Sequence, residues 1–462
     1  MRRAVLTVLT LLAGCATYHA QPIAPAQLAH QFEHRSLASD ELRAFLTREV
    51  GHEIRPWPVA RWDRRILTLA AWYYSPALDV ARAQWETAKA GVQVADAIPN
   101  PVLQLPFQFA TPNPGPGAPF IWGPALDIPI EIAGKRGYRV DQASHLSESA
   151  RLAIGNEAWK VRGQVRDALL ALYSARERTE LFSRKAQALE QVVRMLEKRR
   201  SVGENSGTDV DAAVLVATQA QSDLATAQSA RQDALAQLAS AIGVPVAAFE
   251  DVQLDLDEFA TSPAAPPAAE AQRDAVFHRA DLLSALADYA AAESALQLEV
   301  AKQYPDIHLG TGYTYDTGTH KIGFGIAGIT LPIFDQNQGN IAQAEAKRKE
   351  AAARTAALQD SILGDLDHAL ARYRSSLDAV QLSARHLATA RRQLDDRAAA
   401  FATGDTDRLT FTQAKADFEV SEMTHLDAVV AARQAADALE DAMQRPLEPE
   451  LTKASLSQQE PR

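Results

Sequence analysis

Apolar positions recur along this chain with two different periods. From Asp306 to Tyr315 they alternate: Ile307, Leu309, Thr311, Tyr313 and Tyr315 fall on one side, and Asp306, His308, Gly310, Gly312 and Thr314 on the other. A period of two with one apolar and one small or polar side predicts a β-strand. Asp316-Thr317-Gly318-Thr319 supplies turn chemistry, and a second run sets Ile322, Phe324 and Ile326 against Gly323, Gly325 and Ala327. Gly328 predicts a bulge, and Pro332 ends or kinks the strand. An earlier stretch repeats the design. Leu103, Leu105, Phe107 and Phe109 alternate with Gln104, Pro106 and Gln108 between Pro99 and Phe109. A Pro/Gly-rich loop over 111–119 follows. Leu126, Ile128, Ile130 and Ile132 then alternate with Asp127, Pro129 and Glu131 between Phe120 and Ile132.

Around these hairpins the period changes to that of a helix. Ala-rich segments are predicted from Ser75 to Asp96, Gly137 to Arg200, Asp209 to Ile242, Ala280 to Gln303, Asn340 to Phe401 and Leu409 to Met443. Leu169, Leu172, Leu181, Leu189, Val192 and Leu196 form the stripe of the second of these, which at 1.5 Å per residue would be roughly 96 Å long. Two short turns interrupt the helices, Ser201 to Gly207 and Ala402 to Arg408, with Thr208 as an N-cap after the first. Helix, hairpin, long helix, turn and return helix thus occur twice, which makes the chain an internal duplication. The expected divisions are 1–14 as an export signal, 15–62 as an extended arm holding a short helix at Asp40–Val50, and 63–242 as the first repeat. A Pro/Ala-rich linker over 243–272, a second repeat over 273–443 and a polar tail over 444–462 complete the chain.

Two hairpins give four strands, too few to close a barrel, and a lone hairpin is not stable. Helices this long are taller than a membrane and must stand outside it. The expected fold is therefore mainly α with a small β membrane part. In it, several copies of the chain would share one barrel, continued by a long helical barrel.

Charge and cysteine content narrow the reading. A formal net charge of −11 argues against nucleic acid and against an anionic membrane surface as partner. The single Cys excludes an internal disulfide and a multi-thiolate metal site. That residue, Cys15, closes Leu12-Ala13-Gly14-Cys15 behind Met1-Arg2-Arg3 and a short apolar run. The stretch resembles a bacterial lipobox, whose Cys becomes the acylated first residue of the mature chain; the alternative is a plain signal peptide. No nucleophile–base constellation, phosphate loop or HExxH motif suggests an enzyme, and no cofactor is expected beyond the lipid.

The order of elements, together with Tyr304-Pro305-Asp306-Ile307, Leu331-Pro332-Ile333-Phe334, Val202-Gly203 and Thr403-Gly404, resembles the TolC-type outer-membrane factors of tripartite efflux and secretion systems. Ile132-Ala133-Gly134-Lys135-Arg136 and Phe334 to Asn340 further resemble the branch serving cobalt–zinc–cadmium and copper–silver efflux. The resemblance implies a homotrimer whose four strands per chain make a twelve-stranded outer-membrane barrel. It also implies a periplasmic adaptor and a proton-driven inner-membrane transporter as partners, and a passive conduit for heavy-metal cations. Exit ducts for organic compounds or for secreted protein are alternatives within the family. A lipid-anchored periplasmic coiled-coil scaffold is the alternative outside it, though it leaves the strands unexplained.

The resemblance directs attention to the two tips. In better-known members acidic residues beyond the tip glycine narrow the periplasmic entrance. Asp209 matches beyond Gly203, whereas Thr410 and Gln413 occupy the corresponding places beyond Gly404, with Asp405 and Asp407 inside the turn. These carboxylates either form a gate and docking surface or are solvated turn and helix-start charges. On the strands, Asp127, Glu131, Asp306 and His308 are expected to face the lumen. There they either touch passing cations or simply provide a polar lining. Lys135-Arg136 reads as a solvated pair at the membrane edge.

Overall fold

The computed structural model describes residues 17–109, 111, 118–261, 263–266 and 268–447. Cys15 and the signal lie outside them, as do most of the loop between the first two strands and most of the tail.

Ten helices and six strand segments follow one another among these residues. Before the first repeat come α1 (Pro25–Glu33) and α2 (Asp40–Val50). The repeat begins with α3 (Arg64–Tyr74) and α4 (Pro76–Asp96). Strands β1 (Val102–Gln104), β2 (Phe107–Phe109), β3 (Phe120–Trp122) and β4 (Ala125–Ile130) precede the 67-residue α5 (Lys135–Ser201) and α6 (Gly207–Ile242). The second repeat runs through α7 (Ala268–Phe277), α8 (Ala280–Ala301), β5 (Ile307–Asp316), β6 (Thr319–Ile329), the 66-residue α9 (Gln338–Thr403) and α10 (Arg408–Met443). At 1.5 Å per residue α5 and α9 are each about 100 Å long. No helix among the described residues is long and apolar enough to cross a membrane.

The long helices start and stop where their sequences say so. Ser75 caps α4, accepting from Leu78 N–H, with Pro76 in the first turn. Lys198, Arg199 and Arg200 fill the last turn of α5, where cations complement the helix dipole. In α6 the buried positions include Ala220, Ala227 and Ala234, a spacing of seven that keeps one thin seam facing α5. Alanine along that seam lets the two backbones approach closely.

Two equivalent cores hold the repeats. In the first, Leu67, Val165, Leu169, Leu238 and Ile242 pack together. In the second, Leu282, Leu366, Tyr373, Leu439 and Met443 do so. The first core also takes in Leu37, Leu42, Leu46 and Trp62 from the arm and Phe249, Leu256 and Phe259 from the connection between repeats. The arm and the linker are therefore packed structure rather than loose chain. Trp62 N–H donates to Gln253 O at 2.8 Å and Trp62 O accepts from Asp255 N–H at 2.9 Å, tying one to the other. Helices α1, α3 and α7 were not anticipated from the sequence.

The strands form a single antiparallel sheet in which spatial order follows sequence order. β1 and β2 are one strand broken at Leu105-Pro106, and β3 and β4 one strand broken at Gly123-Pro124. Proline has no N–H for the ladder, so the continuous strands expected over 99–109 and 120–132 are each divided. β5 pairs with β3 and β4 on one side and with β6 on the other. The bulge falls beside Gly328: His308 faces Gly328 but Leu309 faces Ile326, leaving Ala327 as the extra residue. The sheet of one chain is open, with β6 at one edge and β1 and β2 at the other.

Candidate functional site

Register assigns the sheet two unlike faces. Asp127 stands opposite Gly310, Pro129 opposite His308 and Ala125 opposite Gly312, while Gly310 and Gly312 stand opposite Gly325 and Gly323. That face is small and polar. The other brings together Leu103, Leu126, Ile128, Leu309, Tyr313, Ile322, Phe324 and Ile326. Much of this apolar face is uncovered, with Ile322 87% and Phe324 83% exposed. Toward the turn end the rings gather in two groups, Phe107 and Phe109 against Phe120, and Trp122 with Tyr313, Tyr315 and His320, and the Tyr313 hydroxyl hydrogen-bonds His320 Nδ1. Amphipathic rings collect where an apolar surface meets a wet one.

The charged residues expected on the small face each have a partner. His308 Nδ1 lies 3.0 and 3.2 Å from the two carboxylate oxygens of Asp127. Arg139 forks onto Glu131 at 2.7 and 3.1 Å and also donates to the carbonyls of Ala95 and Ala97. Asp306 accepts from Lys135 Nζ at 2.8 Å and from Ile132 N–H. Lys135 is only 7% exposed, so it is not the solvated cation the sequence suggested. Arg136 pairs with Asp96 at 2.7 Å. Lys135, Arg136 and Arg139 thus rivet the start of α5 to the strands and to the end of α4. Arg139 was missed because nothing in a local period marks a residue that reaches across a turn.

At the tips both glycines adopt left-handed backbone, Gly203 at φ +82° and Gly404 at φ +83°. They close α5 and α9 with Schellman-type bonds: Glu204 N–H to Arg199 O in one and Asp405 N–H to Ala400 O in the other. The carboxylates nearby do local work. Ser206, not Thr208, caps α6, and Asp209 completes a reciprocal capping box with it, which holds the Asp209 carboxyl below its usual range. Asp405 accepts from the Thr403 hydroxyl at 2.7 Å. Asp407 caps α10 by accepting from Thr410 N–H at 2.8 Å and also takes Arg199 at 2.6 Å. These bonds, the backbone one first, lower its carboxyl to about 2.

Sequence gave no hint of a further cluster between the repeats. Arg162 and Arg166 on α5 are almost wholly buried against Asp437, Glu440 and Asp441 on α10. Arg162 reaches Glu440 at 2.7 Å, and Arg166 reaches Asp437 at 3.2 Å and Asp441 at 2.8 Å. Burial pushes Asp437 up to about 7, and repulsion from Glu440 adds to it, against the opposing pull of Arg166. Asp437 also lines a groove of about 690 Å³ between α5, α6 and α10. No three His, Cys, Asp or Glu residues converge as a metal cage among the described residues.

The comparisons agree with this architecture. The family described as outer membrane efflux protein matches residues 71–244 and again 272–444, one match per repeat. The cobalt-zinc-cadmium resistance protein CzcC of Cupriavidus metallidurans is 26% identical over 266 residues. That alignment covers 57% of this chain and 61% of the relative, so the chain spans about three fifths of the curated protein it matches. Among solved structures, CusC superposes with a TM-score of 0.67 at 18% identity, over 85% of this chain and 95% of that one. VceC from Vibrio cholerae superposes with 0.68 at 20% identity, over 85% and 100%. At such identities the likeness establishes the fold. With both repeats matched separately and the long-helix, open-sheet fold shared, the chain belongs to the outer membrane efflux protein family.

Proposed function

We propose that this chain is the outer-membrane channel of a tripartite efflux system and that heavy-metal cations are its cargo. The observation that carries the channel reading is the sheet. Four antiparallel strands end in two open edges and expose one apolar face, while helices about 100 Å long stand at its end. An open edge with unpaired backbone groups cannot rest in lipid, so it calls for closure by further copies. Three copies supply twelve strands, enough to leave a lumen, and place Asp127, Glu131, Asp306 and His308 inside it. The tips around Gly203, Asp209, Gly404, Asp405 and Asp407 then lie at the far end, where a periplasmic adaptor and an inner-membrane transporter would meet the tube. Cys15 adds a lipid anchor beside the barrel, each buried methylene contributing about 0.8 kcal/mol.

Support for metal cargo is the likeness to a cobalt-zinc-cadmium resistance protein, together with the chemistry of the small sheet face. Ion-paired side chains among glycines give a polar wall without strong charge, over which a hydrated cation passes without being trapped. The test is complementation. Cells lacking the chain should lose tolerance to cobalt, zinc or cadmium and regain it with the intact gene. Loss of tolerance to organic compounds alone would move the cargo to that class. Release of the acylated or unacylated chain from membranes without detergent would remove the barrel itself.

A further inference from the structure

Helix α1 carries His30, and His34 is its C-cap, four residues on and held one turn away by its N–H, which donates to His30 O at 3.2 Å. Their rings stack at 4.0 Å between centroids with 23° between planes. His34 Nδ1 lies 2.9 Å from the carbonyl oxygen of His30. A carbonyl can only accept, so that nitrogen carries the proton and donates it. In the neutral ring the lone pair of His34 is then on Nε2, and a backbone carbonyl on Nδ1–H is the support that orients metal-binding histidines. Stacked rings do not aim their lone pairs at one point, so His30 must turn out of the stack to share a cation with His34. Its ring makes no hydrogen bond among the described residues and both side chains are exposed, which leaves it free to do so. We propose that His30 and His34 form a two-imidazole clamp for a divalent transition-metal cation of the zinc–copper class, with water completing the coordination.

The rest of α1 fits a metal-responsive element. It has nine residues, none of them buried, and no side-chain cap at its N-terminus. Helices this short are marginal in water without packing, so α1 has little to hold it helical. An i,i+4 clamp exists only while the intervening turn is helical, so a cation that binds it stabilises the helix by linkage. What α1 adjoins makes this consequential. Arg35, just beyond it, donates to Tyr74 O at 3.2 Å and Gly243 O at 2.7 Å and lies against the rings of Phe32 and Tyr74. The clamp therefore sits where the arm is fastened to the ends of α3 and α6. It does not depend on metal being the cargo, since the site is on the arm and not on the sheet.

Cu2+ heads the affinity order for nitrogen ligands and is the first probe, with Zn2+ as the second. The detergent-solubilised full chain is titrated with each by calorimetry, and the Cu2+ form is read by electron paramagnetic resonance. Cu2+ is expected to show two equivalent imidazole nitrogens. His30→Ala or His34→Ala should each weaken binding by roughly 100-fold as the chelate is lost. Gln31→His in the His30→Ala background, which restores a same-face pair at i,i+3, should recover part of it. Amide exchange over residues 28–33 should slow when metal is added to the intact chain and stay unchanged in either single variant. Wild-type affinity in both alanine variants, or metal binding with no slowing of exchange in α1, would overturn the proposal.

Discussion

Arg199, in the last turn of α5, and Asp407, the N-cap of α10, meet at 2.6 Å and so join the two tips of one chain. Asp407 does two things at once, because one carboxylate oxygen caps Thr410 N–H while the other takes the guanidinium. Asp407→Asn should keep the cap and lose only an exposed ion pair worth at most about 1 kcal/mol. Asp407→Ala should lose the cap as well, a further ~1 kcal/mol. The carboxyl is depressed from 3.8 to about 2, so its contribution is present above pH 4 and is lost only as pH falls through 2. Amide exchange at the two tips, measured between pH 5 and 8, should be faster in both variants, more so in the alanine one. It should show no pH-dependent release of this tie in the intact protein.

Asp437 has the opposite sign. Its folded-state value of about 7 lies above the ordinary 3.8, so the folded protein takes up a proton here before the unfolded chain does. This residue therefore costs stability above pH 7, and that cost fades as pH falls from 7 toward 4. Asp437→Asn should remove that part of the pH slope and leave the protein at least as stable at pH 8. Removing Arg166 instead leaves buried carboxylates without their cation and should cost several kcal/mol, about 3–5 for broken buried pairs. Thermal unfolding of the detergent-solubilised chain at pH 5, 6, 7 and 8 separates the two.

What the sequence showed and what it hid follow from range. Helices α5, α6, α9 and α10 were legible because an unbroken helical period without proline needs only neighbours to be read. The sheet faces were legible for the same reason, since alternation at Ile307, Leu309 and Tyr313 is local. Arg162 and Arg166 looked like ordinary charges of a long helix, and only the return of α10 shows them enclosed by Asp437 and Glu440. Phe249 and Phe259, in a proline-rich stretch, look like linker, but they fill the core that also holds Trp62. Thr208 reads as a cap because it is a capping residue beside the turn, but Ser206 takes that place, since local sequence does not say where the chain enters the helix.

Opposite faces of the sheet should tolerate charge differently. Phe324 lies on the exposed apolar face, and His308 lies on the small face beside Asp127. An arginine facing lipid near mid-bilayer costs roughly 2–4 kcal/mol. Phe324→Arg and Leu309→Arg should therefore reduce the yield of membrane-inserted oligomer, seen on native gels after detergent extraction. His308→Arg should assemble normally, since its place already faces polar groups. Equal yields from the two faces would mean that the apolar one does not meet lipid.

Glycines in the sheet should divide into two classes by what a methyl group would meet. At Gly123 a β-carbon would lie 1.8 Å from the carbonyl oxygen of Tyr313 and 2.7 Å from its carbonyl carbon. Both are backbone atoms of the neighbouring strand and cannot rotate away. Gly123 is also where the second strand breaks before Pro124, whose carbonyl accepts from Tyr313 N–H at 3.0 Å. Gly123→Ala must then push β3 from β5 and separate Trp122 from Tyr313, losing pairing as well as the ring contact. The expected cost is at or beyond the roughly 1–3 kcal/mol of ordinary overpacking, because no side chain can relax. At Gly323 a β-carbon meets nothing within 4 Å, and the residue stands on the same small face as Gly310 and Gly312. Gly323→Ala should fold and assemble as the parent does, with thermal stability within about 0.5 kcal/mol. If alanine at both positions is equally harmless, the second strand does not approach Tyr313 as closely as its pairing requires.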